Sequence, residues 1–192
     1  MNTADVVVLP LGGRRPPRPL RGLPVVDTAD VPCRRLVVLG DDSDLATVLT
    51  RLLRTDRLDV EVAHVRRRWH AGRALRATAA RVPLIRDDTG AVIVGVAEWR
   101  GEPGGRPLHG EAVVDDAVLF DGDVTGVRIE PTATMPGLRA AVLGTRPRRW
   151  VAGRAAQLGT TGATVVRDGV AGNRPVRRST FYRHTEGWLR VR

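Results

Sequence analysis

Lysine is absent from this chain and cysteine nearly so: the 192 residues contain Cys33 alone, and all 31 basic side chains are arginine. A single cysteine excludes an intramolecular disulfide and any multi-cysteine metal site. The chain start also lacks the charged, apolar and small-residue pattern of an ordinary signal peptide, so a cytoplasmic location is expected. No apolar run approaches the roughly 20 residues of a membrane helix, the longest being strand-sized, such as Val92 to Ala97 and Ala140 to Leu143. His64, His70, His109 and His184 never fall at the spacing of a zinc hydrolase. What remains is a chain long enough to bury its own core, as one domain or one small domain plus a second.

The excess of 31 basic over 21 acidic residues gives a formal charge of +10. Such a balance points to nucleic acid or another anionic surface. Arginine used to the exclusion of lysine, beside abundant Ala, Val, Gly and Pro, is also what a GC-rich genome writes. Charge alone therefore leaves both an anionic partner and a merely solvated basic surface open.

The order of patterns is α/β and then β-rich. Val6 to Leu11 reads as a short strand, and Gly12 to Pro24, dense in Pro, Gly and Arg, as a loop or mobile arm. Leu36 to Leu39 is a continuous apolar run ending at Gly40. Leu45, Val48, Leu49, Leu52 and Leu53 then recur at spacings of three and four, the stripe of an amphipathic helix. Leu58 to Val65 alternates like a half-buried strand, which completes a parallel βαβ unit. His70 to Ala80 is a second helix candidate. Asp87-Asp88-Thr89-Gly90 marks a hairpin turn between Pro83 to Arg86 and Ala91 to Trp99, after which short strands follow one another to Trp188 to Val191. The expected architecture is a small parallel-sheet N-terminal part over 1–81, packed on an antiparallel, sandwich-like β-rich part over 82–192.

The acidic turn Gly40-Asp41-Asp42-Ser43-Asp44 lies where open α/β sheets bind ligands, at the carboxyl end of a strand. Three carboxylates in four residues could hold Mg²⁺ through oxygen. Equally, Ser43 or Asp44 could cap the helix while the other acids complement its dipole.

Val38-Leu39-Gly40-Asp41-Asp42-Ser43-Asp44-Leu45, followed by an apolar helix, resembles the strand, Gly-Gly-Asp-Gly-Thr-Leu turn and helix of the diacylglycerol-kinase and NAD-kinase superfamily. Gly40, Asp42 and Leu45 match that motif, while Asp41, Ser43 and Asp44 stand in place of two glycines and a threonine. Asp168-Gly169, with Pro175-Val176 and a closing strand behind it, is similar to the Asp-Gly-Glu turn of diacylglycerol-type lipid kinases, with Val170 in place of the glutamate. The resemblance implies a degenerate kinase-like protein binding a nucleotide or an anionic phospholipid headgroup, with ATP and Mg²⁺ as cofactors. It implies Gly40, Asp42 and Asp44 as nucleotide-binding residues and Asp168 as catalytic base.

Other features read more simply. Ser179, His184 and Asp168 supply the residue types of a hydrolase triad without a Gly-x-Ser-x-Gly elbow. Gly159-Thr160-Thr161-Gly162 lacks the lysine of a P-loop and reads as a hairpin turn. Arginines around Cys33 could lower its pKa. The stretch Arg174 to His184 interleaves arginine with Phe181 and Tyr182, as nucleic-acid-binding strands do and as core strands do. Two alternatives to the kinase-like reading follow, an Arg-rich nucleic-acid-binding module and a structural or assembly protein without a ligand.

Overall fold

The computed structural model describes residues 4–102, 104–144 and 147–192. Its elements begin with β1 (Ala4–Pro10), β2 (Cys33–Leu39), α1 (Asp42–Arg54), β3 (Glu61–Val65), α2 (Ala71–Arg76) and β4 (Ala79–Val82). There follow β5 (Ile85–Asp87), β6 (Val92–Ile93), β7 (Ala97–Arg100), β8 (Leu108–Val114), β9 (Ala117–Val124) and β10 (Gly126–Pro131). Next are β11 (Leu138–Val142), β12 (Val151–Gly153), β13 (Ala155–Arg167), β14 (Val170–Ala171), β15 (Val176–Arg183) and β16 (Trp188–Val191). The chain divides into two compact units, one running to Val82 and including Glu186–Arg192, the other Pro83–Thr185. Among the described residues no helix is long and apolar enough to cross a membrane.

The first unit is a five-stranded sheet in the order β1-β2-β3-β16-β4. β1, β2, β3 and β16 run parallel, and β4 is antiparallel to β16. The all-apolar end of β2 fits a parallel sheet covered on both faces. On one face Ala71 and Ala74 of α2 pack with Val8, Val37, Leu39, Ala63 and Val65. The stripe on α1 is buried at Leu45, Val48, Leu49 and Leu52.

Three features of this unit differ from expectation. The Pro/Arg segment after β1 is docked: Val8 exchanges backbone bonds with Pro24 and Val26, and Leu20, in a short 3₁₀ turn, is fully buried. The second helix stops at Arg76, because the chain turns extended at Ala77 and then supplies β4 to the sheet. Trp188–Val191 belongs to the first sheet, not to the β-rich unit.

The second unit is a large antiparallel sheet folded around one core. β13 makes the fold: its first half pairs with β8 and β15, its second with β7 and β14, with a register shift between Gly159 and Ala163. Gly159 to Gly162 is thus an irregularity within a long strand and not a hairpin turn, and such a bulge bends the strand it interrupts. The hairpin turn at Asp87 is as expected, with Ile85 opposite Ile93. Trp99 and Phe181 are fully buried with ring centroids 6.0 Å apart, and the Trp99 indole N–H donates to Ser179 Oγ at 3.0 Å. Phe181 and Ser179 are therefore core residues, and the Ser179 hydroxyl is engaged inside the sheet. Burial also pushes the Cys33 thiol up, with Arg57 acting in the opposite sense, so this cysteine is a structural one.

Candidate functional site

The acidic turn leaves β2 at Leu39 and enters α1 at Asp42. The cap is Asp41, one residue earlier than either Ser43 or Asp44, because the helix begins directly after it. Its Oδ1 accepts from the Asp44 amide at 3.0 Å and from Ser43 Oγ at 2.8 Å. The Asp44 carboxylate accepts in return from the Asp41 amide at 2.9 Å. This is a complete capping box. The Asp44 amide and then the Ser43 hydroxyl hold the Asp41 carboxyl below the usual range. Gly40 is required by the fold-back of Asp44, whose Cβ would lie 2.6 Å from a Cβ placed at residue 40.

Asp42 is turned to the end of β3. Its Oδ2 lies 3.1 Å from Arg66 Nη1, and its Oδ1 lies 3.9 Å from His64 Nδ1. His64 Nε2 donates to the Gly40 carbonyl at 3.2 Å, which ties β3 to the turn. Burial lowers the His64 pKa, against the opposing pull of Gly40 and Asp42. All three aspartates thus have partners within the protein. Among the described residues no group of three or more His, Cys, Asp or Glu could hold a metal ion, and this donor set does not fit a resident Mg²⁺.

Asp168 sits in the second unit, in a tight turn after β13 with φ of 46°. Its carboxylate accepts from the backbone amides of Val94, Gly95 and Val96 at 2.9, 2.7 and 2.8 Å. Wrapped by these three amides, the carboxylate clasps the segment between β6 and β7. That geometry ties Asp168 to the backbone of this segment and adds no separate support for its reading as a base.

A different set of residues is exposed at the carboxyl edge of the parallel strands. A groove of about 630 Å³ is lined by Arg14 and Arg15 after β1, by the strand ends Leu39 and Val65, and by Arg66 to Trp69 after β3. Gly12 and Gly13, with φ of 59° and 69°, make the reversal that brings the first arginine pair back to this edge. Arg14 Nη1 donates to the Arg66 carbonyl at 2.9 Å and joins the two loops. Trp69 is 70% exposed, with the Arg67 guanidinium 5.2 Å from its ring centroid. Arg66-Arg67-Arg68-Trp69 lies outside the site residues expected from sequence; the signal that marks it is a basic-aromatic run directly after a parallel strand, the place where open α/β sheets take ligands.

Comparison with known proteins bears on the fold. No protein-family model matches the sequence, and no curated protein does. Among solved structures, the chain is similar to a putative diacylglycerol kinase from Bacillus anthracis str. Sterne, with TM-score 0.74 and 9% identity over 100% of this chain and 98% of that one. It is also similar to an NAD kinase from Archaeoglobus fulgidus in complex with ATP, with TM-score 0.65 and 10% identity over 98% and 93% of the two chains. This protein therefore has the fold of the NAD kinases and diacylglycerol kinases, a small largely parallel sheet followed by a large antiparallel one.

Proposed function

We propose that this protein binds a nucleotide through its phosphates in the arginine groove at the carboxyl edge of the parallel sheet. The observation that carries the reading is the convergence of Arg14, Arg15, Arg66, Arg67 and Arg68 on one groove whose lining has no carboxylate. Guanidinium forks match phosphate oxygens in pairs, and a groove lined by one sign of charge concentrates the opposite ion. Trp69 gives the base a flat apolar face. The Archaeoglobus fulgidus NAD kinase, solved with ATP, makes ATP the first ligand to test.

This places the phosphates on side chains and not on the glycine turn, where Asp41 and Asp44 close the helix amides against an anion. With Asp42 paired to Arg66 and Asp168 bonded to three amides, the support is for binding and not for phosphoryl transfer. Any Mg²⁺ would arrive with the nucleotide, its protein-side carboxylates being already engaged.

Thermal unfolding with and without ATP tests the reading. A ligand at 100 times its Kd stabilises by about 2.7 kcal/mol. A melting rise with ATP that the double variant Arg15→Gln/Arg68→Gln loses is the expected result. Both arginines are exposed, so the variant keeps the fold. No rise at millimolar ATP, with or without Mg²⁺, overturns the assignment.

A further inference from the structure

The groove has a neighbour. A second hollow, of about 360 Å³, is lined by Ala63 and His64 of β3, by His70, Arg73 and Ala74 at α2, and by the end of β16 with Arg190 and Arg192. The first groove takes Val65 to Trp69, so one continuous stretch of chain, from Ala63 to Ala74, supplies residues to both hollows. Neither lining includes an Asp or Glu. Among the described residues, Arg66 is the only one of these lining arginines within 4.0 Å of a carboxylate. Trp69 lines the first groove, precedes His70 of the second hollow in the chain, and has most of its surface in solvent.

Guanidiniums gathered at this density, with Arg66 alone of them on a carboxylate, repel one another and favour a partner carrying regularly spaced negative charge. One mononucleotide fills one hollow. Two basic hollows built on one stretch of chain, with an exposed indole in that stretch, fit a chain of phosphates whose bases are free to stack. A lipid surface fits less well. Apart from Trp69, Val25 is the one large apolar residue markedly exposed among the described residues of the first unit, so there is no apolar cluster to enter a bilayer.

We propose that the surface formed by the Ala63 to Ala74 stretch, the Arg14-Arg15 loop and the β16 arginines binds single-stranded nucleic acid, with Trp69 stacked on a base and the two hollows taking successive phosphates. The surface extends past the nucleotide groove, and the second hollow has no part in the reading given above.

Fluorescence anisotropy with a labelled 12-nucleotide oligothymidylate, titrated at 50 to 200 mM NaCl, tests this directly, beside a duplex of the same length and vesicles of anionic phospholipid. With about five phosphates neutralised, log affinity falls against log salt with a slope of about −3.5. Trp69→Ala weakens the oligonucleotide roughly 5- to 150-fold, the range of one base stacked on an aromatic ring. Arg73→Gln/Arg190→Gln lowers both affinity and slope while the ATP-induced melting shift stays, which separates this surface from the nucleotide groove. Arg148→Gln/Arg149→Gln, on the exposed surface of the other unit, changes nothing. An oligonucleotide bound no tighter than ATP overturns the proposal. So does equal loss in the two double variants, or tighter binding of duplex or vesicles than of the single strand.

Discussion

Arg34 and Arg35 are neighbours on β2 with opposite burial, and replacing each by methionine separates a buried electrostatic clasp from a surface one. Arg35 is 5% exposed. Its Nε donates to Glu61 at 2.6 Å, and its two Nη atoms donate to the carbonyls of Ala74, Leu75 and Ala77 at 2.9, 2.8 and 3.0 Å. These carbonyls lie at the C-terminal end of α2, where a helix leaves its acceptors unsatisfied. Arg35→Met fills similar space but deserts three acceptors and a carboxylate. Removing one partner of a buried ion pair costs about 3–5 kcal/mol, and because Glu61 keeps Arg34 at 2.8 Å the lower half of that range applies. About 3–4 kcal/mol is a large part of the 5–15 kcal/mol that holds a domain together. Arg34, with its side chain half exposed, pairs with Asp5 and Glu61, and Arg34→Met costs at most about 1 kcal/mol. Urea unfolding followed by amide hydrogen exchange reads the first unit by itself. The Arg35 variant shifts its midpoint by about 1–4 M for m of about 1–3 kcal/mol/M, and protection at Ala74 to Ala77 is lost first. Equal shifts for the two variants, or less than about 1 kcal/mol for Arg35→Met, refute the reasoning.

Three other outcomes follow from the site. Asp42→Asn frees Arg66 from its 3.1 Å partner and raises ATP affinity by about 2- to 5-fold in calorimetry, the worth of one partly exposed pair, whereas an aspartate orienting metal-bound nucleotide would make the same change a loss. Asp168→Ala strips three amides of their acceptor and leaves alanine at positive φ, costing the second unit about 2–4 kcal/mol by Trp99 fluorescence while ATP affinity of the folded protein stays constant. Burial lowers the His64 pKa, so below its unfolded value near 6.5 the unfolded chain binds more protons than the folded one. Stability therefore falls as pH drops from 6.5 toward the folded value, and His64→Gln flattens that part of a melting-against-pH curve.

The α/β-then-β order was legible because period and apolar continuity are local: β2, the α1 stripe and the Asp87 turn each carry their own pattern. The fate of β16 was not, since Trp188–Val191 reads as a strand but nothing in four residues says which sheet it joins. The end of α2 depends on Arg35, some 40 residues upstream, and on pairing with β16, so alanine-rich sequence alone overran it. At the site, sequence marked the acidic turn for its density of charge and could not see that each carboxylate has a partner. Arg66 was invisible as the partner of Asp42 for the same reason, their pairing being a product of the parallel register of β2 and β3.

The capping box and the arginine groove lie at the same carboxyl edge of the parallel sheet. Glycines at a strand-to-helix turn let backbone amides approach a phosphate, and they leave the first turn of the helix open to it. With Asp41 and Asp44 in place, those amides bond to carboxylates and the helix N-terminus presents negative charge. A phosphate held at this end of the sheet must then draw its donors from the flanking loops. Those loops carry Arg14-Arg15 after β1 and Arg66-Arg67-Arg68 after β3, one on each side of the turn that follows β2. Side-chain donors reach further than amides and tolerate ligands of several shapes, which suits a binding surface. Catalysis of phosphoryl transfer asks for the opposite, donors fixed before the ligand arrives. On the proposed reading, the capped turn leaves phosphate binding to the basic edge and favours retention of a phosphate over its transfer.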